Sequence, residues 1–461
     1  MTDVVTALTQ ALGKEIVCAG DDVPARNRRD WTAPEVLPLA LVRPRTTEQV
    51  ATAMRLCHEH GTPVVPQGGL TGLCGGGRPV EGGIALSLER MTGVEEIDPA
   101  TASMTVRSGT PLEAVQKAAD EAGFLCPLDL GARGSCAIGG NLSTNAGGNR
   151  VIRYGMTREM VLGLEVVLPD GTVVNSLNKM LKNNAGYDLK QLFIGSEGTL
   201  GVITRAVLRL WPKPRTVSAA FCGLADFDAV LRLLDEARGG LGATLSAFEV
   251  MWPSFYDLIT AHATGVRTPL AGRHGLYVLL EAQGSDAAFD DPRFEAFLER
   301  MMEEGVIEDA AVAQSQGDIK AFWALRDAVA EWDQILGGHV GYDIGLPTQL
   351  MDEYALACEQ AMEARFPGAT TVCFGHVGDG NLHVVAHAPG HEVQPYDEIS
   401  KIVYGLVRER GGTVSAEHGI GTLKKPYFAY ARTPEEIALM VTLKRAIDPK
   451  NILNPGKILS L

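Results

Sequence analysis

The sequence of 461 residues contains no stretch approaching 18 uncharged apolar residues, so nothing in it reads as a membrane span. Its start, MTDVVTALTQALGKE, lacks a basic run and a long apolar core. It reads as a short amphipathic helix and not as a signal peptide. The eight cysteines (Cys18, Cys57, Cys74, Cys126, Cys136, Cys222, Cys358 and Cys373) include no CxxC pair, and without an export signal they are expected to be reduced and mostly buried. No GxGxxG occurs, which leaves a Rossmann dinucleotide site unsupported. No GxxxxGKS/T occurs, which excludes a P-loop at the motif level, and the missing GxSxG argues against an α/β-hydrolase elbow. There is no internal repeat and no low-complexity tract.

What is present is ordinary for a soluble globular protein: 46% apolar and 21% charged residues. The length exceeds what one hydrophobic core supports, so two domains or more are expected. The formal net charge of -15 opposes binding to nucleic acid and to anionic membrane. A small anionic substrate would then need a local positive site, an arginine or a metal in a pocket. For a bacterial source the expected compartment is the cytoplasm.

Helix and strand signals alternate from about 39 to 217. Thr46 and Gln49 are spaced as a capping box ahead of a helix closed by Gly61, and a short strand follows over 62–66. Thr110-Pro111-Leu112-Glu113 opens another helix, with Pro111 at its first position and Gly123 after its end. Leu162 to Val174 reads as two strands joined at Asp170-Gly171. The Pro-punctuated WPKPR (Trp211 to Arg215) marks a boundary. A second α/β stretch runs to about 420, and a helix over Pro434–Ile447 precedes the tail DPKNILNPGKIL.

Three glycine-rich loops stand in the first stretch: PVVPQGGLTGLCGGG from Pro63, AIGGNLSTNAGGNRVIRYG from Ala137 and GSEGTLGVIT from Gly195. Glycines free backbone N–H groups and admit a close ligand, so such loops can hold a diphosphate without much positive charge. One loop alone would read equally well as a tight turn; three in one domain favour a ligand.

PQGGLTGL, IGGNLSTNAGG, RYG, LEVVLPDG and GYDLKQLFIGSEGTLGVIT resemble the FAD-binding domain of the vanillyl-alcohol oxidase / p-cresol methylhydroxylase flavoproteins. The resemblance implies an α+β protein: an FAD-binding domain of two α/β subdomains, here 39–217, and an α/β cap domain with an antiparallel sheet, here 218–420. An N-terminal helical segment (1–38) would precede them, and 421–461 would return to the FAD domain. It further implies that Pro66, Gly68, Gly69, Thr71 and Gly72 hold the diphosphate. Gly140, Asn141, Thr144, Asn145, Ala146, Gly148, Gly198, Ile203 and Asn454 would line the rest of the flavin. Some members attach FAD to a loop histidine. No histidine lies between His60 and His262, and Cys74 and Cys136 are weak linkage candidates, so non-covalent FAD is expected.

Five of the ten histidines fall between 376 and 418. FGHVGDGNLHVVAH (Phe374 to His387) reads as strand, tight GDGN turn, strand, so that His376 and His383 flank the turn and can face one point. SAEHGIG (Ser415 to Gly421) adds Glu417 and His418. Two imidazoles and a carboxylate are a common divalent-metal set with positions left open for a substrate. Adjacent residues rarely both ligate one ion, and imidazole is the better base near neutrality, so Glu417 is assigned to the metal and His418 to proton abstraction. Asp379 is expected to cap the turn; His387 and His391 are expected to be solvated or structural. A 2-hydroxy acid could chelate such an ion through its carboxylate and hydroxyl. The ion would lower the hydroxyl pKa, and hydride could leave C2 for a flavin as the base takes the proton.

FGHVGDGNLH, SAEHGIG and LKRAIDPKNILNPGKIL are similar to the FAD-linked D-2-hydroxy acid dehydrogenases, which act on acids such as D-2-hydroxyglutarate, D-lactate and glycolate. The resemblance spans roughly 39–461. It implies zinc or a similar ion on His376, His383 and Glu417, with His418 as the base. FWALRD (Phe322 to Asp327) resembles the segment whose arginine binds the substrate carboxylate, here Arg326; from residues alone Arg326 reads as an exposed charge on an amphipathic helix. Asn381 and His418 join it as implied substrate contacts. The hydroxyglutarate branch carries a lysine just before its YDxxLP segment and an asparagine two residues after the second metal histidine. Those positions are Gly341 and Val385 here, so either His339 or Lys424 must serve a distal carboxylate, or the substrate has a more apolar side chain, as D-lactate does. The implied electron acceptor is an electron-transfer flavoprotein or a quinone. The oligomeric state is open, with a homodimer as the candidate. The competing readings are an O2-using flavin oxidase of the same superfamily, a flavin subunit active only inside a glycolate-oxidase-like complex and, more remotely, a metal hydrolase without flavin.

Overall fold

The amphipathic start of the chain forms a helix over Val4–Leu12, capped by the Asp3 carboxylate on the Thr6 amide, with Val4, Leu8 and Leu12 as its buried stripe. The computed structural model describes residues 3–32 and 34–461, so Met1 and Thr2 of the expected helix lie outside the described residues. The chain divides into two compact units. One comprises Met1–Gly148, Gly155–Lys213 and Glu417–Leu461; the other comprises Asn149–Tyr154 and Pro214–Ala416. Unit changes at 213/214 and 416/417 stand beside the boundaries of 217 and 420 expected from sequence. Residues 1–38 do not stand apart, because β1 (Val17–Ala19) pairs antiparallel with β2 (Ala40–Val42).

The first unit holds two main sheets. In one, β3 (Val64–Gln67) and β4 (Ile84–Ser87) join β2 in parallel, in the order β1-β2-β4-β3. The helix Thr47–His60 packs on it through Val50, Ala53, Met54 and Cys57. Thr46 caps that helix by accepting from the Gln49 amide, but the Gln49 side chain takes the Arg45 amide and not that of Thr46, so the capping box is displaced by one residue. The predicted strand over 62–66 begins two residues later than expected. The second sheet is built from β5 (Val94–Asp98), β6 (Ser103–Arg107), β8 (Val161–Val167), β9 (Val173–Ser176) and β10 (Val202–Arg209) in the antiparallel order β5-β6-β10-β8-β9; the two-residue β7 (Phe124–Leu125) pairs with β11 (Trp211–Pro212). The expected hairpin at Asp170-Gly171 is present, with Val167 opposite Val173. Pro111 sits at the cap, not inside the helix Leu112–Glu121. The C-terminal helix Pro434–Ile447 has a complete Thr433/Glu436 capping box, and the tail beyond it returns to β3, where Leu453 bridges Val64 in parallel.

The second unit is one antiparallel sheet of β12 (Thr216–Leu224), β13 (Leu245–Met251), β14 (Leu276–Gly284), β15 (Asp309–Val312), β16 (Val340–Gly345), β17 (Thr370–Gly375) and β18 (Asn381–His387), in the order β15-β12-β14-β13-β17-β18-β16. Residues 149–154 belong to it because Arg150 pairs with the buried Glu281 at 3.2 Å and Arg153 donates to the Gln283 carbonyl at 2.6 Å. All eight cysteines carry free thiols, seven of them buried. Burial pushes Cys57, Cys126, Cys222 and Cys358 up to about 12, which keeps them protonated and inert at neutral pH. Among the described residues, no helix is long and apolar enough to cross a membrane.

Candidate active site

The three glycine loops border one cleft in the first unit, with about 960 Å³ of empty space when its opening to solvent is included. Pro66, Gly68, Gly69, Thr71, Gly72, Gly140, Asn141, Thr144, Gly198 and Ile203 line it, and so does His418. A Cβ at Gly69 would lie 2.1 Å from the Ser135 carbonyl oxygen, so the first loop cannot carry a side chain there. Leu70 and Glu197 hold left-handed backbone at φ 59° and 51°. Ser108 Oγ and Asn141 Oδ1 are buried in the lining without a protein partner. Bare loop backbone and orphaned polar atoms suit a large polar ligand with a diphosphate, so the residues present fit FAD.

Four of the expected flavin contacts are set back from the cleft wall. Asn145 is the left-handed cap of the helix Ile138–Thr144, and its Oδ1 accepts from the Arg158 amide. The Ala146 carbonyl accepts from the Thr157 amide and hydroxyl. Gly148 is glycine because a Cβ would meet the Asp129 carbonyl oxygen at 2.1 Å. Asn454 donates to the carbonyls of Gly76 and Glu197 at 3.2 and 2.7 Å, tying two cleft loops to the tail. Gly147 escaped the sequence reading. A Cβ there would lie 2.4 Å from Glu417 Oε1, so this glycine makes room for that carboxylate.

In the second unit, β17 and β18 enclose a single turn over Val377–Asp379, closed by Gly380 at φ 87°. This places the histidines as their spacing predicted. His376 Nε2 and His383 Nε2 are 3.4 Å apart. Two imidazoles on a tetrahedral ion with Zn–N bonds of about 2.0–2.1 Å would hold their nitrogens about 3.3 Å apart, so the pair fits a metal. Asp379 is exposed, His387 Nδ1 bonds the Gly338 carbonyl and His391 packs edge-on against Phe366.

Glu249, absent from the residues singled out above, stands on β13 as the one charged residue of the strand. It is 1% exposed; Oε1 is hydrogen-bonded to His376 Nδ1, and Oε2 accepts from Arg326 Nε at 2.9 Å. Burial opposes its charge, but His376 and Arg326 outweigh that and hold the carboxyl down at about 2. A carboxylate on Nδ1 leaves Nε2 with its lone pair, the usual orientation of a metal-bound imidazole. The lone acid among the apolar residues of LSAFEVM was the available signal.

Arg326 is buried at 7% exposure and lies 3.1 Å from His376 Nε2, with Phe374 beneath its guanidinium. The exposed-helix reading from residues alone is therefore corrected: the last turn of Gln316–Asp327 points inward because Glu249 supplies the partner that burial requires. Asn381 is 3% exposed, and neither its Oδ1 nor its Nδ2 has a protein partner. Replacing Glu249 by alanine leaves the buried Arg326 guanidinium and the His376 Nδ1 without their acceptor, and a loss of about 3–5 kcal/mol is expected. Urea unfolding followed in the second unit checks this; a midpoint equal to that of the parent protein would refute it.

Gly341 and Val385 are opposite each other on β16 and β18. A Cβ at Gly341 meets nothing within 4 Å, while Val385 is buried in an apolar cluster with Phe255, Trp332 and Phe374. Val385 shares the strand face of His383 through the two-residue period. His339 is engaged locally with the Gly337 carbonyl.

Residues 38–176 match the family described as FAD binding domain, and residues 213–458 match FAD linked oxidases, C-terminal domain. The chain is 43% identical over 419 residues to the mitochondrial D-2-hydroxyglutarate dehydrogenase of Bos taurus, covering 91% of this chain and 76% of that one. It is 38% identical to the D-2-hydroxyglutarate dehydrogenase of Xanthomonas citri pv. viticola over 440 residues, 93% and 91% of the two chains. A putative D-lactate dehydrogenase of Schizosaccharomyces pombe is 38% identical over 425 residues, 90% and 81%. Among solved structures, p-cresol methylhydroxylase with substrate bound superposes with a TM-score of 0.80 at 19% identity, covering 99% of this chain and 96% of that one, which establishes the shared fold. The chain belongs to the family of FAD-linked D-2-hydroxy acid dehydrogenases, the flavin oxidoreductases that include the D-2-hydroxyglutarate dehydrogenases.

Proposed function

We propose that the chain oxidises a D-2-hydroxy acid to the 2-oxo acid with non-covalent FAD and a divalent ion, zinc by the nature of its ligands. The observation that carries the metal reading is the convergence of two imidazole Nε2 atoms beside a buried arginine, with one imidazole oriented by Glu249. His376 and His383 would hold the ion, and Glu417 would supply the carboxylate. Chain connectivity supports Glu417: Ser415 Oγ donates to Asp343 Oδ2, Asp343 lies opposite His383 in register, and Glu417 follows two residues on. An ion held there would supply Lewis acidity to the substrate hydroxyl, and FAD in the cleft would supply the acceptor for the C2 hydride. Arg326 receives the substrate carboxylate, supported by its burial and its place beside His376. The unpartnered Asn381 amide offers a donor and an acceptor to the same ligand. His418, half-buried on the wall of the flavin cleft, takes the hydroxyl proton. Electrons then pass to a non-NAD acceptor, an electron-transfer flavoprotein or a quinone.

The names of the relatives support D-2-hydroxyglutarate as the substrate. A second reading, a shorter or more apolar acid such as D-lactate, is favoured by the Gly341–Val385 pair, which offers no charge to a distal carboxylate. Anaerobic flavin bleaching by a panel of D- and L-2-hydroxy acids decides between them. Bleaching by D-2-hydroxyglutarate at least tenfold faster than by D-lactate sustains the first, and the reverse order sustains the second. No bleaching by any D-acid would overturn the dehydrogenase assignment, and rapid reoxidation by air would point to an oxidase.

A further inference from the structure

The loop that carries His418 has no regular structure of its own; what fixes it within the first unit is Glu197. This residue follows Ser196 in the third glycine loop and is 9% exposed on the wall of the flavin cleft. Its Oε1 accepts the Ile420 amide at 2.7 Å and its Oε2 accepts the Gly421 amide at 2.8 Å. Both oxygens of one carboxylate are thus spent on consecutive backbone N–H groups two and three residues beyond His418. Gly419 stands at φ 80°, and a Cβ there would lie 2.8 Å from Glu197 Oε1, so the loop can approach the carboxylate this closely only without a side chain. Glu197 itself holds φ 51°, a conformation a non-glycine residue keeps only where its surroundings impose it. The surroundings are visible: its amide donates to the Ser143 carbonyl, and its carbonyl accepts from Asn454 Nδ2. The loop's far end is pinned by the Thr422 and Leu423 amides on the Cys74 carbonyl.

We infer that Glu197 is a positioning residue for the reaction, its carboxylate clamping the 420–421 backbone so that His418 keeps a fixed place on the flavin cleft. The inference rests on the proposed role of His418. No neutral side chain reproduces the clamp: a glutamine would oppose one amide N–H with another and keep a single bond. Charge-assisted hydrogen bonds of this kind are roughly twice as strong as neutral ones, and losing one loosens the loop without emptying the cleft.

The test uses the FAD-loaded full chain and the variants Glu197→Gln and Glu197→Ala. Hydrogen exchange of the peptide spanning Glu417 to Leu423 is expected to speed up about tenfold in Glu197→Gln and further in Glu197→Ala. Flavin reduction in a single turnover should slow by about tenfold in Glu197→Gln while KM stays within about twofold, because placement of the base affects the proton-transfer step and not ground-state binding. Unchanged exchange, or faster exchange with an unchanged reduction rate, overturns the inference. Loss of FAD from Glu197→Gln also overturns it, since Glu197 would then belong to the flavin cradle. If the parent protein is bleached by no D-2-hydroxy acid, the functional proposal fails, while the exchange result still reports on the clamp itself.

Discussion

His418→Ala is expected to slow anaerobic flavin reduction by about 10²–10⁴-fold, the usual worth of a positioned general base, while the flavin absorbance and the FAD-to-protein ratio stay those of the parent protein. Two features separate this residue from the other histidines. It lines the flavin cleft itself, beside Glu197 and Gly198. It also sits next to Glu417, whose carboxylate is accommodated by the missing side chain of Gly147. Neither Ser108 nor Asn141, whose orphaned atoms face the cleft, is touched by the substitution, so the cofactor should remain bound. The reduced rate should appear in kcat and kcat/KM alike, because a base acts in the transition state and not on the bound ground state. A variant reduced as fast as the parent protein would remove His418 from the mechanism and move proton abstraction to another group.

What the sequence made legible follows from the range of the interactions involved. The helix Pro434–Ile447 was readable because its start is written in four consecutive residues, Thr433 to Glu436. The turn between β17 and β18 was readable for the same reason: Gly378-Asp379-Gly380-Asn381 is local, and it alone brings His376 and His383 face to face. The glycine loops announced a ligand because three of them fall in one domain, where one alone would read equally well as a tight turn. Glu249 was invisible because it reaches His376 across 127 residues of sequence, and nothing near it in the chain marks that pairing. Arg326 was misread from residues alone because a helix displays the same periodicity whether its charged side chain meets water or a buried carboxylate. Glycines 147 and 148 show the limit of resemblance. Adjacent in one motif, they answer to different neighbours, the Glu417 side chain and the Asp129 backbone, and only tertiary contact separates their roles.

Removal of the divalent ion is the second large effect expected. Exhaustive chelation, verified by elemental analysis, should lower flavin reduction by about 10³-fold or more, since a Lewis acid contributes several kcal/mol to the stabilisation of developing alkoxide charge. FAD should stay bound, because the cleft lining belongs to the first unit and both histidines to the second. Re-addition of zinc should restore the rate. The variants order themselves by distance from the ion. On the proposed metal site, His383→Ala would remove a ligand and should mimic the chelated protein. Glu249→Gln leaves both imidazoles in place but weakens the acceptor that orients His376, and should cost about 10–100-fold in ion affinity, measured by competition with a chromophoric chelator. That ordering distinguishes a metal site from a pair of histidines that merely hydrogen-bond at 3.4 Å. In the latter case chelation would change nothing, His383→Ala would cost only packing against Phe374, and Glu249→Gln would act on stability through Arg326 alone. Full activity in metal-free protein would therefore reduce the two imidazoles to substrate contacts.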